Sequence, residues 1–131
     1  MKKTTLLNKD LSEVIASLGH RDMLVIADAG LPIPPAVRRI DLAISPNLPR
    51  FMDVVRAVLS ELQVEEAVVA SEMAERSPHI LAELQEALGH TPISNVLHEG
   101  FKLQTARARA VVRTGEFTPY ANVILIAGVV F

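Results

Sequence analysis

Two histidines, one carboxylate and one short loop carry the chemistry that can be read along this chain. His20 stands before the apolar run Met23-Leu24-Val25-Ile26-Ala27, and Asp28 stands directly after it. A run of that length, with Val and Ile inside it and a Gly/Pro loop behind it, predicts a buried strand rather than a helix. Ligands of open α/β sheets collect beyond the carboxyl ends of the strands. Asp28 is placed there to accept a hydrogen bond from a polar ligand, and it fits equally well as a turn former that bonds its own backbone. Gly30, Pro32, Pro34 and Pro35 keep the segment that follows out of helix and sheet. His98 falls at a second boundary, after the apolar stretch Ile93 to Leu97; a polar turn residue is its plainer reading, as it is for His20. The loop from Gly115 to Asn122 contains Pro119, the single tyrosine Tyr120, and Asn122. A phenol and an amide so close together can hold vicinal hydroxyls, or can tie the loop to itself with Tyr120 at the edge of the core.

Other chemistries find less support. His79 follows Pro78 in a helix start and His90 lies in a Gly/Pro turn, so both read as solvated surface residues. His20, His98 and Asp28 lack any metal-ligand spacing such as HxH or HExxH, and the chain has no cysteine. No metal is expected. No GxGxxG, P-loop or GxSxG pattern occurs, so dinucleotides, nucleotide phosphates and serine hydrolysis are not indicated. The net charge of −2 implies no basic face for nucleic acid.

The elements that must position these residues follow from periodicity. The 131 residues suit one domain, 1–131, with half of them apolar. Leu7, Leu11, Val14, Ile15 and Leu18 mark a helix, capped by Asn8 or Asp10 and followed by Gly19 in the left-handed position past its end. Arg39 to Ile44 alternates as a short strand. Phe51 to Leu62 is an amphipathic helix, Ala67 to Ala70 a buried strand, and Ser77-Pro78 opens a helix that Gly89 ends. Ile93 to Leu97 is the next strand, Gly100 to Arg107 a short helix, and Ala110 to Val112 and Val123 to Ala127 the last strands. This order predicts an α/β fold, a mostly parallel sheet with helices on both faces in Rossmann-like layering. The Met1-Lys2-Lys3 start lacks the apolar stretch of an export signal. Val123 to Phe131 is far short of the ~20 residues of a membrane span. A cytoplasmic protein is expected. The apolar terminus Val129-Val130-Phe131 suggests cover by another surface, in the same subunit or a neighbour.

Along its whole length the sequence resembles the D-ribose pyranase family, relatives of L-fucose mutarotase. The resemblance rests on Leu18-Gly19-His20, on Val25 through Pro34 (VIADAGLPIP), on Arg39-Ile40-Asp41, on His98-Glu99-Gly100-Phe101-Lys102, and on Arg113 through Asn122 (RTGEFTPYAN) with the apolar tail. It implies a cytoplasmic isomerase that converts the β-pyranose form of ribose to the β-furanose form, with no cofactor. It implies His20 as proton donor and sugar contacts from Asp28, His98, Tyr120, Ala121 and Asn122. It also implies a ring-shaped homodecamer of two stacked pentamers. Two alternatives stay open: a non-catalytic ribose-binding partner of a sugar transporter or kinase, and a mutarotase for another aldose such as fucose.

The implied reaction is chemically consistent with these side chains. Changing ring size means opening the hemiacetal and closing it through a different hydroxyl, and no carbon–hydrogen bond breaks. One group takes the proton of the anomeric hydroxyl while another gives one to the ring oxygen. An imidazole suits such work near neutral pH. His20 is assigned as the general acid, and either Asp28 or His98 receives the hydroxyl proton. The eight residues from His20 to Asp28, if extended, separate their α-carbons by up to ~26 Å. Either the chain bends at Arg21-Asp22, or the two side chains reach one sugar from different subunits; the second is the expectation.

Overall fold

A computed structural model describes residues 1–131. Its centre is one six-stranded sheet: β1 Met23–Ala27, β2 Arg38–Asp41, β3 Val64–Ala70, β4 Ile93–Val96, β5 Ala110–Arg113 and β6 Val123–Ala127, in the spatial order β2-β5-β1-β6-β3-β4. β5 pairs in parallel with β1 and β2, and β3 with β4. β6 pairs antiparallel with both β1 and β3. The helices are α1 Lys9–Ser17, α2 Phe51–Leu59, α3 Met73–Arg76, α4 Pro78–Leu88 and α5 His98–Thr105. The expected α/β architecture is the one observed. No helix is long and apolar enough to cross a membrane.

Strand alternation divides the core. Leu24 and Ile26 of β1 face one side of the sheet, where they join Phe51 and Val55 of α2, Leu84 of α4 and Val14 of α1. Val25 and Ala27 face the other side, with Ile124 of β6 and Phe101 of α5. Successive residues of a strand point to opposite faces, so a central strand covered on both sides must be apolar throughout. That is why β1 and β6 read as unbroken apolar runs.

Several boundaries differ from expectation. Gly19 does not occupy the left-handed position. The chain leaves α1 extended at Leu18 (φ −73, ψ 130), and the left-handed residue is Arg21 (φ 71). The cause is Asp22, whose Oδ2 accepts the Gly19 N–H at 2.8 Å while its own N–H reaches the Gly19 carbonyl at 3.1 Å. That closure moves the sharp bend to position 21. Asn8 does cap α1, accepting the Leu11 N–H at 2.9 Å. β3 begins at Val64, three residues early, because Glu65 and Glu66 interrupt its apolar pattern. β2 stops at Asp41, which turns the chain by accepting the Ala43 N–H at 3.1 Å. His98 opens α5 rather than closing a strand, because the Glu72 carboxylate accepts its N–H at 3.0 and 3.2 Å and so caps the helix.

Strand direction decides where function can lie. Five strands run one way and β6 runs the other. The carboxyl ends of β1, β3, β4 and β5 therefore share one edge with the entry to β6. The opposite edge holds the turn before β1, the start of β3 and the end of β6.

Candidate active site

Asp28 emerges from β1 at the carboxyl edge, where it forms its own turn. Its Oδ1 accepts the N–H groups of Gly30 (3.0 Å) and Leu31 (2.8 Å), which shapes the turn. Its Oδ2 accepts from Asn122 Nδ2 at 3.0 Å, and its own N–H donates to Asn122 Oδ1 at 2.8 Å. Asn122 is fully buried, so this two-way amide pair fixes the carboxylate from beneath. Ala121 is also buried, packed into the main core.

Tyr120 adopts φ 62, a left-handed backbone that a bulky residue rarely holds. Such a conformation costs about 1–3 kcal/mol and persists where neighbours over-determine it. Here the Asn122 N–H closes on the Tyr120 carbonyl at 2.8 Å. The result aims the phenol ring at His98, edge to face, with ring centroids 5.0 Å apart. Arg76, at the end of α3, lies over the same ring at 5.8 Å. Asp28, Leu31, Pro32, Arg76, His98 and Tyr120 line an open hollow of about 330 Å³. That is the low end of the range for small-molecule pockets. His98 Nδ1 is buried with no hydrogen-bond partner.

The loop that delivers Tyr120 is braced along its length. Thr114 Oγ1 donates to the Ala27 carbonyl at 2.8 Å, and the Ala29 N–H donates to the Glu116 carbonyl at 2.9 Å. The Glu116 carboxylate is buried, accepting the Phe51 N–H (3.1 Å) at the start of α2 and the Thr118 hydroxyl (2.9 Å). A negative charge at a helix N-terminus is favourably placed. Gly115 packs on the backbone of Leu48: a Cβ there would lie 2.5 Å from the Leu48 oxygen. Backbone cannot swing aside as a side chain can. Gly115→Ala is expected to destabilise the fold by about 1–3 kcal/mol, read as a lower denaturant midpoint with an unchanged slope.

The structure therefore brings Asp28, His98, Tyr120, Ala121 and Asn122 to one place and leaves His20 elsewhere. His20 stands in the turn before β1, at the opposite edge, with its side chain 55% exposed and Nε2 2.9 Å from Glu65 Oε2. The five residues of β1 alone put about 17 Å between the two edges. Arg76 and Glu72 went unseen in the sequence. They lie on or beside a four-residue helix too short to show periodicity. Glu116 likewise carries no signal in the sequence that sets it apart from other loop acids.

A mixed sheet with an anchored carboxylate, an imidazole and a tyrosine around an open hollow at its carboxyl edge is the arrangement of an α/β protein with room for a small polar ligand. The chain belongs to the RbsD / FucU transport protein family, whose sequence profile matches residues 1–130. Proteins named D-ribose pyranase from Symbiobacterium thermophilum and Chloroflexus aggregans are 62% and 61% identical to it, with 100% of each chain covered. The structure of Bacillus subtilis RbsD complexed with D-ribose superposes with a TM-score of 0.97 at 46% identity, covering 100% of both chains.

Proposed function

We propose that this chain is an isomerase that interconverts the β-pyranose and β-furanose forms of D-ribose. The observation that carries the reading is the hollow itself: Asp28, His98 and Tyr120 meet in a fold nearly superposable on that of a ribose-bound relative. Asp28 and Tyr120 grip the hydroxyls, and Arg76 and His98 bound the sugar from the side. Ala121 and Asn122 act from below, by holding the Tyr120 turn and the Asp28 carboxylate. Fixing the sugar this way orders the reacting atoms before any proton moves.

Ring opening needs a proton delivered to the ring oxygen, and His20 is the group assigned to it. Since β1 separates His20 from Asp28 within one chain, a complete site takes His20 from a neighbouring subunit. Such head-to-tail contacts close into rings, consistent with a decamer of two stacked pentamers. They also give cover to Val130 and Phe131, which are 87% and 100% exposed at the His20 edge of the isolated chain. The reaction uses no cofactor, and its place is the cytoplasm, where imported sugar is taken up by later steps. The test is saturation-transfer NMR of ribose at equilibrium. Added protein is expected to speed magnetisation transfer between the pyranose and furanose anomeric signals. Ribose binding with an unchanged exchange rate would leave a non-catalytic binding protein. Acceleration confined to fucose or another aldose would move the activity to that sugar.

A further inference from the structure

The edge of the sheet opposite the hollow carries a second organised cluster, centred on Glu65. This residue stands near the start of β3, and its carboxylate reaches between two side chains of the turn before β1. Oε2 lies 2.9 Å from His20 Nε2, and Oε1 accepts from Arg21 Nη1 at 2.7 Å. The turn itself is pinned: the Arg21 N–H donates to the Ala127 carbonyl at 2.9 Å, and Asp22 pairs with Arg109 at 3.1 Å. The stem of Glu65 rests against Gly128, where a Cβ would come within 3.1 Å of its own Cβ. The Arg21 hydrogen bond foremost, and then that of His20, hold the Glu65 carboxyl below its usual range.

An ionised carboxylate can only accept hydrogen bonds. The His20 nitrogen facing it must therefore be the donor, Nε2–H. We propose that Glu65 is a positioning residue: its carboxylate keeps His20 in the Nε2–H form, so that Nδ1 is the nitrogen that exchanges a proton with the sugar. This rests on the reading of His20 as the acid. In the opening step the Nδ1 proton of the imidazolium passes to the ring oxygen as the bond from that oxygen to the anomeric carbon breaks. The anomeric hydroxyl gives its proton to Asp28 or His98 and becomes the carbonyl. On closure a different sugar hydroxyl attacks that carbonyl and returns its proton to Nδ1, while the carbonyl oxygen recovers the other. Nε2–H stays with Glu65 throughout, the arrangement a carboxylate imposes on a catalytic imidazole elsewhere. Arg21 occupies the second oxygen and stops the carboxylate from swinging away.

An exposed ion pair adds little to stability, so Glu65→Ala is expected to fold and assemble as the parent does. Its kcat for pyranose–furanose exchange is expected to fall about tenfold or more, with KM within about twofold. Glu65→Gln keeps an acceptor oxygen and is expected to fall between the two. Nitrogen-15 spectra of the parent assembly are expected to show neutral His20 protonated at Nε2, and those of Glu65→Ala a mixture of tautomers. A Glu65→Ala protein exchanging within about twofold of the parent, or a parent protonated at Nδ1, overturns the proposal. His20→Ala is the control: if it stays active, the assignment of the acid fails instead. Should Glu65→Ala not assemble, the parent spectrum decides.

Discussion

His20→Ala is expected to slow pyranose–furanose exchange by about 10²–10⁴-fold, the usual contribution of a placed acid or base. The protein should otherwise be intact. The His20 side chain is more than half exposed, its hydrogen bond is to Glu65 alone, and it is not part of either core cluster. An alanine there opens no cavity and orphans no buried group. The loss should therefore sit in kcat, with ribose still bound at the hollow, as expected when a group acts in the transition state more than in binding. Exchange spectroscopy at saturating ribose, together with a thermal melt, checks both halves. A variant that loses activity only through weaker ribose binding contradicts the role given to His20.

Asp28→Asn should cost as much by a different route. Oδ1 takes two backbone N–H groups and Oδ2 faces the Asn122 amide N–H₂. An asparagine can satisfy the backbone pair only by turning its own N–H₂ toward that of Asn122, donor against donor. Asn122 cannot flip to relieve the conflict without losing its acceptor oxygen to the Asp28 N–H, which it holds at 2.8 Å. An unpaired buried donor costs about 1–3 kcal/mol, and the site loses the anion proposed to grip the sugar. The expected outcome is a drop in kcat/KM of about 100-fold or more, accompanied by weaker ribose binding in titration calorimetry. Near-parental binding would show that Asp28 serves the turn and not the ligand.

Much of this was legible along the chain, for reasons that can be named. β1 and β6 are buried on both faces, so their sequences are unbroken apolar runs with one plausible conformation. Asp28 and Tyr120-Ala121-Asn122 flank those runs, which is why the edge where they meet could be expected without coordinates. The eight-residue reach from His20 to Asp28 already told against one subunit holding both, and the parallel course of five strands puts them at opposite edges. What stayed hidden depends on partners distant in sequence. Left-handed backbone was expected at Gly19, where glycine makes it easy, yet it falls on Arg21 and Tyr120, which hydrogen bonds to Ala127 and Asn122 hold in place. Glu116 looks like any surface acid until Phe51 is brought to it from 65 positions away. Arg76 gives no periodic signal on a helix of one turn. Glu65 interrupts the apolar pattern of its strand, and its meaning emerges only beside His20.

The central claim is that an imidazole from one copy and a carboxylate from another complete each site. The direct measurement is to unfold His20→Ala and Asp28→Asn chains together, refold them as mixed assemblies, and follow ribose exchange by NMR. Each variant alone should be nearly inactive. Random 1:1 mixing should restore about a quarter of the sites, those pairing an intact His20 with an intact Asp28 across a contact. Mixed assemblies no more active than the separate variants would place both residues of each site in a single chain, and the account would fail.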